Sequence, residues 1–262
     1  MDQINRTADY DQIARTFDRR YERNQYAGVA QALREFIGYR PGRVQILEVG
    51  CGTGHWLEAL RASGRHLTGL DYSAGMLARA QRRVQGTTLI RGDANRLPLP
   101  DHSFDRVFCI NAIHHFPDKP SFLADARRIL RPGGKVWSVG LDPHRGLDHW
   151  RVYDYFPESL AIDRQRFPSS DVLRQWMAAA GFKDCITKEV EHWVIRVPAR
   201  EALAQGRLDK AATSQLSVLT DAEYEQGMRR IREDSERAQK EGHTLVLTVD
   251  LRLFGTSGAV AR

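Results

Sequence analysis

Short apolar runs alternate with amphipathic stretches along the first two-thirds of the chain. Residues 44–49 are almost continuously apolar, as expected of a central parallel strand covered on both faces. Residues 26–39 follow a helical period, and Pro41–Gly42 stops it. Residues 56–61 read as helix and 67–70 as strand. Ser73 reads as the N-cap of a helix running to about Arg83, because its hydroxyl can accept from the first free amides. Strands at 88–90 and 104–110 follow, then a helix at 121–130 ended by Pro132–Gly133–Gly134, then a strand at 135–139. Crossovers of this length predict an α/β fold: a mostly parallel sheet, doubly wound in the right-handed sense, with helices on both faces.

Beyond residue 140 the pattern changes. Residues 141–168 are rich in Asp, His, Arg and aromatics, and predict a cap. A helix at 172–180, ended by Gly181, and a strand at 188–197 resume the alternation. Residues 199–212 and 221–242 are polar and mostly helical. The last strand, 244–253, places Leu245, Leu247, Val249 and Leu251 on one face and is expected to run antiparallel to the strand before it. The expected organisation is an N-terminal arm over residues 1–22, then one domain over 23–262 with cap insertions at about 141–168 and 199–242.

Length and composition narrow the function classes. At 262 residues, 42% of them hydrophobic, the chain can bury a full core. No apolar run approaches the roughly 20 residues that span a bilayer. The opening residues MDQINRTADYDQ are polar and partly acidic, which predicts no secretory leader. Three cysteines, odd in number and far apart, suggest neither disulfides nor a metal site, and point to the cytoplasm. The net charge of +6 is spread as scattered arginines without a Lys/Arg block interleaved with aromatics, so nucleic acid is disfavoured as a partner.

The chemistry concentrates at the end of the first strand. Gly50, Gly52 and Gly54 alternate there, with Cys51 in the same turn, and Asp71 follows Gly50 by 21 residues at the end of the next strand. Glycines let a backbone approach a bulky nucleoside, and an acidic residue at that distance suits ribose hydroxyls. A dinucleotide fingerprint would read G-x-G-x-x-G, whereas here the run is G-C-G-T-G-H-W. Glu48 would put negative charge near a pyrophosphate, and suits a ligand bearing an amine or sulfonium. The spacing therefore points away from NAD and towards S-adenosylmethionine.

The blocks LEVGCGTG, GLDYS with Met76, RGDANRLPLPDHSFDRVFCINAIHHF and DARRILRPGGKV occur in order, with YDQIARTFDRRY before them and SSDVLRQWMAAAGF after them. In this order and spacing the chain resembles class I S-adenosylmethionine-dependent methyltransferases over roughly residues 8–255. The likeness is in particular to the small-molecule group related to ubiquinone and menaquinone biosynthesis. The resemblance implies a seven-stranded Rossmann-like sheet with an antiparallel last strand and a helical cap. It implies that Gly50, Gly52 and Gly54 contact the methionine portion and that Asp71 binds both ribose hydroxyls. Tyr72 and Met76 would flank the adenine, and Asp93 would bind its amine, with Ala94 supplying a backbone donor. Asn111 would stand where the methyl group is presented, and Tyr10 and Tyr21 would close over the cofactor.

On the substrate side, His115 and His114 lie just past Asn111, where an imidazole could take or position a proton. Trp150, Tyr153 and Tyr155, with Trp193 and Arg196, would suit an aromatic or anionic small molecule, or would simply pack a cap. The expected reaction is methyl transfer to an oxygen, nitrogen or carbon of a small metabolite. Two alternatives stand beside it. One is an S-adenosylmethionine-binding protein that cyclises, isomerises or only binds. The other is a nicotinamide-dependent oxidoreductase, which the glycine spacing disfavours.

Overall fold

The computed structural model describes residues 17–18, 21, 26–38, 44–63 and 65–262. Two compact units share these residues. The larger draws on Tyr10–Asp142, Phe167–Glu191 and Leu253–Arg262, and the smaller on Pro143–Arg166 and His192–Arg252. The expected insertions at 141–168 and 199–242 overlap the segments of the smaller unit.

The larger unit is a sheet with helices on its faces. Strands β1 (Gln45–Val49), β2 (His66–Asp71), β3 (Thr88–Arg91), β4 (Phe104–Ile110) and β5 (Leu130–Gly140) pair in parallel in the order β3-β2-β1-β4-β5. Strand β7 (Lys183–Pro198) and strand β8 (Val246–Ala259) extend the sheet, β8 pairing antiparallel with β5 and also pairing with β7. The two residues His149–Trp150 pair antiparallel with β8 as well, so the sheet has eight strands where seven were expected. The antiparallel last strand that the resemblance implies is therefore present, set against β5. Its hydrogen-bonded length runs on through Phe254 and the small residues Gly255–Thr256–Ser257–Gly258, which carry no apolar alternation.

Strand order reverses at β1, between β2 and β4, and the carboxyl edge there is where ligands bind in open α/β sheets. Alternate residues of the central strands bury opposite faces. Leu47, Val49, Val107 and Cys109 pack with Phe122, Leu123, Ala126 and Ile129 of α4 (Lys119–Ile129) and with Leu173 and Met177 of α7 (Ser170–Ala179). Burial at such positions is worth about 1.5–3 kcal/mol per large side chain, which is why apolar β1 reads so plainly as interior.

Helices α1 (Ala27–Ile37), α2 (His55–Leu60) and α3 (Ala74–Arg83) also belong to this unit. Ser73 caps α3 as expected, its Oγ accepting from Met76 N at 3.1 Å. Helix α1 takes its cap from far along the chain: Gly28 N and Val29 N donate to Glu191 Oε2.

In the smaller unit, the residues after Pro143 form a two-residue strand β6 (His149–Trp150), helix α5 (Arg151–Tyr155) and helix α6 (Pro157–Arg166). Helices α8 (Ala199–Ala204), α9 (Ser214–Ser217) and α10 (Asp221–Lys240) follow. Of the helix expected at 199–212 only the first part forms. Helix α10 starts at a capping box in which Thr220 Oγ1 accepts from Glu223 N while Glu223 accepts from Thr220 N. Fully buried Phe156 lies against Gly227 of α10, where an added Cβ would stand 2.2 Å from the ring.

Candidate active site

The turn after β1 is fixed by its own backbone and by Asp71. Gly50 N and Cys51 N both donate to Leu70 O, at 2.7 and 3.0 Å. Asp71 Oδ2 accepts from Gly52 N at 2.7 Å, and Oδ1 from Ser73 N at 2.9 Å. Gly50 has φ +73°, and a Cβ there would stand 2.5 Å from Ala112 Cβ, so the turn and the segment after β4 touch where no side chain would fit. Gly54, at φ +78°, opens α2 without a side-chain cap. These features set the backbone of the turn and the start of α2 beside a half-buried carboxylate.

Charge at the site is unusual. Glu48 is 1% exposed, and burial together with the neighbouring Asp71 carboxylate pushes its carboxyl well above the ordinary range. Burial, Glu48 and Asp71 likewise raise the Cys51 thiol well above its usual value, so Cys51 is a small apolar filler rather than a nucleophile. Burial, with the nearby Arg83 cation, lowers His55 to about 4.

Two residues before α1, Asp18 and Tyr21, lie against this turn and its helix through contacts that no periodicity signals. Asp18 Oδ1 accepts from Thr53 Oγ1 at 2.5 Å, and Asp18 Oδ2 pairs with Arg83 Nη2 at 2.8 Å. Arg83 also donates to Thr53 O and Thr53 Oγ1. Tyr21 stacks on His55 with ring centroids 3.6 Å apart and planes 1° from parallel. Tyr21 thus lies on the helix that follows the turn, while Tyr10 lies outside the described residues. The partners are 35 and 65 positions apart in the chain, a separation that carries no local pattern.

The structure brings most of the other expected residues to the same edge. Tyr72, directly after Asp71, is 73% exposed, an unusual setting for a large ring. Met76 is fully buried in α3 instead. Asp93 is exposed, its Oδ1 accepting from Asn95 N at 2.9 Å, and Ala94 is buried beside it. Asn111, at the end of β4, adopts φ +51°, a strained left-handed conformation, with its N–H donating to Val139 O at 2.8 Å. His114 and His115 follow in a short 3₁₀ turn, and buried His114 stacks on Phe167 at 3.9 Å.

In the smaller unit the aromatic candidates turn inward. Trp150 and Tyr155 are buried. Tyr153 Oη donates to Asp163 Oδ2 at 2.7 Å, and Tyr155 Oη to Asp234 Oδ2 at 2.8 Å. Asp163 is fully buried and paired with Arg166. The hydroxyls of Tyr153 and Tyr155 are thus engaged in the unit's own interior. On β7, Trp193 is half-buried and Arg196 is exposed. Among the described residues no group of three or more His, Cys, Asp or Glu is placed to hold a metal ion, and no helix is long and apolar enough to cross a membrane.

Residues 47–138 match the family model described as a methyltransferase domain. The fold is that of a class I methyltransferase. A phosphoethanolamine N-methyltransferase from Haemonchus contortus, solved with S-adenosyl-L-methionine, superposes with TM-score 0.58 over 90% of this chain and 53% of its own, at 19% identity. In sequence, the phthiotriol/phenolphthiotriol dimycocerosates methyltransferase of Mycobacterium leprae is 38% identical over 136 residues, 50% of this chain and 49% of that protein. The demethylmenaquinone methyltransferase of Clavibacter sepedonicus is 31% identical over 163 residues, 53% of this chain and 65% of that protein. The chain spans about half the length of the first curated relatives it matches.

The site fits an adenosyl sulfonium. The glycine turn admits a ligand to the backbone, the Asp71 carboxylate lies at its edge, and exposed Tyr72 offers a face for a base. Glu48 Oε2, enclosed and without a hydrogen-bond partner, supplies latent negative charge rather than a place for phosphate.

Proposed function

We propose that this chain binds S-adenosylmethionine and transfers its methyl group to an oxygen, nitrogen or carbon of a small molecule. The observation that carries the reading is the Gly50–Gly54 turn clamped by Asp71 at the point of strand reversal, with buried Glu48 in the strand leading into it. When bound, the cofactor supplies an electrophilic methyl carbon and a neutral thioether as leaving group. Asp71 holds the ribose hydroxyls, Tyr72 lies along the adenine, and Asp93 with the Ala94 amide reads the adenine edge. Asn111, fixed by strained backbone, marks the methyl end, and His115 orients the acceptor and takes its proton where one must leave. Alignment and exclusion of water are the main sources of acceleration in such a displacement.

The finer reading is a small-molecule methyltransferase of the kind related to quinone biosynthesis, acting on an aromatic or anionic acceptor. The likeness to the demethylmenaquinone enzyme and exposed Arg196 support it. A cytoplasmic setting belongs to the same proposal, supported by three free cysteines.

Calorimetric titration with S-adenosylmethionine, S-adenosylhomocysteine and NAD tests the cofactor, and a labelled-methyl screen of hydroxylated aromatics tests the reaction. Saturable binding of the adenosyl pair alone supports the reading, and binding of NAD alone removes it. Binding with no transfer to any acceptor would favour the non-methylating alternative. With an acceptor in hand, His115→Ala should lower kcat by about 10²–10⁴-fold, as loss of a general base does, and leave cofactor affinity unchanged. A kinetically silent variant would remove His115 from the mechanism.

A further inference from the structure

Glu48 holds a position that cofactor contacts alone do not explain. It is the second-last residue of β1, in register with Gly69 of β2 and Phe108 of β4. The Leu57 backbone N–H, in the first turn of α2, faces its carboxyl and favours the ionised form. One carboxyl oxygen, Oε2, is enclosed and has no hydrogen-bond partner.

Among the described residues, the groups that face it come from β2, the turn, β4 and α2. Asp71 on β2 brings a second carboxylate. Cys51 in the turn and Cys109 on β4 are thiols that feel its charge, and burial pushes Cys109 up to about 12. On α2 only the Leu57 amide dipole favours its ionised form. None of these groups is a cation. An ionised carboxylate enclosed beside another carboxylate, with an oxygen left unpartnered, is strongly disfavoured. Asp71 differs, because each of its oxygens receives a backbone N–H.

We propose that Glu48 is a neutral carboxylic acid in the free protein and ionises when the cationic cofactor binds, so that the site tells S-adenosylmethionine from S-adenosylhomocysteine by charge. This rests on the cofactor reading above. S-adenosylmethionine carries one more positive charge than the thioether left after methyl transfer. On loading, the O–H bond of Glu48 breaks and its proton passes to solvent; once the methyl group has left, the carboxylate has lost its cation and takes a proton back. The charge that holds the substrate form is withdrawn from the product form, and product release is favoured.

The test is calorimetry of the intact protein near neutral pH in two buffers of different ionisation enthalpy. The expected result is release of about one proton per S-adenosylmethionine bound, and almost none with S-adenosylhomocysteine. Below the pH at which Glu48 ionises, the apparent Kd for S-adenosylmethionine should improve by up to about tenfold per pH unit, while that for S-adenosylhomocysteine stays flat. Glu48→Gln keeps a polar oxygen facing the Leu57 amide and should abolish both effects. Infrared difference spectra of the wild type give a reading that needs no variant: a carboxylic-acid carbonyl band should vanish on adding S-adenosylmethionine and persist with S-adenosylhomocysteine. Binding with buffer-independent enthalpy, or equal proton release in Glu48→Gln, overturns the inference and leaves the cofactor reading intact. Failure of a folded sample to bind either adenosyl compound overturns both.

Discussion

Asp71 serves the turn and, on the proposed reading, the ribose with the same two oxygens, so its loss has two separable consequences. Asp71→Ala removes the acceptors of Gly52 N and Ser73 N and the charge together. Charge-assisted hydrogen bonds are worth roughly 1.5–3 kcal/mol, so the variant should bind S-adenosylmethionine about 10- to 150-fold more weakly and unfold at lower temperature. An Asp71→Ala protein that bound as tightly as the parent would leave Asp71 only its role in the turn. A second prediction concerns His55, held near 4 by burial and Arg83. Its unfolded form protonates near 6.5, so the unfolded chain binds more protons between those values, and stability from this residue is complete above about 6.5 and lost as pH falls towards 4. Glu48 works in the opposite sense: its raised value makes its contribution full below about 4.5 and lost as pH rises from there. Denaturant titrations across this range should therefore show a shallower acid loss in His55→Phe, and a gain near neutrality in Glu48→Gln.

At the scale of elements, what the sequence made legible follows from what burial demands. Central strands β1 and β4 are covered on both faces, so their apolar runs announce them, and Ser73 capped α3 where its hydroxyl was expected. The far end of β8 was not legible, because Gly255 and Gly258 sit where large side chains do not fit: a Cβ on Gly255 would meet the Trp137 indole at 2.5 Å. Length hid α5, whose five residues are too short to show a helical period. The hold of Asp18 on Thr53 and Arg83 was equally silent, since hydrogen bonds between residues far apart leave no periodic trace. It makes a prediction at this scale. Arg83→Ala should cost about 1 kcal/mol of stability, at the upper end for an ion pair that solvent still reaches, and should speed amide exchange at Gly52 and Gly54. Unchanged exchange at the turn would mean that Asp18 and Arg83 do not restrain it.

On the scale of the whole molecule, the residues proposed for the cofactor and the aromatic candidates for the acceptor fall in different compact units. Gly50, Asp71, Asp93 and Asn111 belong to the larger, and Trp150, Tyr153 and Tyr155 to the smaller. The candidate cofactor site was legible because glycines, an acid and their spacing are local to strand ends. The aromatic cluster was ambiguous because a ring that packs an interior and a ring that meets a ligand have the same side chain. The hydroxyls decide part of that question: Tyr153 holds buried Asp163, with Arg166 on its other oxygen. Tyr153→Phe would leave that carboxylate with one partner fewer, a loss of about 1–3 kcal/mol, so the smaller unit should unfold earlier. If cofactor recognition resides in the larger unit, the same variant should bind S-adenosylmethionine with a Kd within twofold of the parent by calorimetry. A Kd shift as large as that of Asp71→Ala would place part of the cofactor's binding energy in the smaller unit. An unchanged Kd with a raised KM for the acceptor would make the smaller unit the element that selects the substrate.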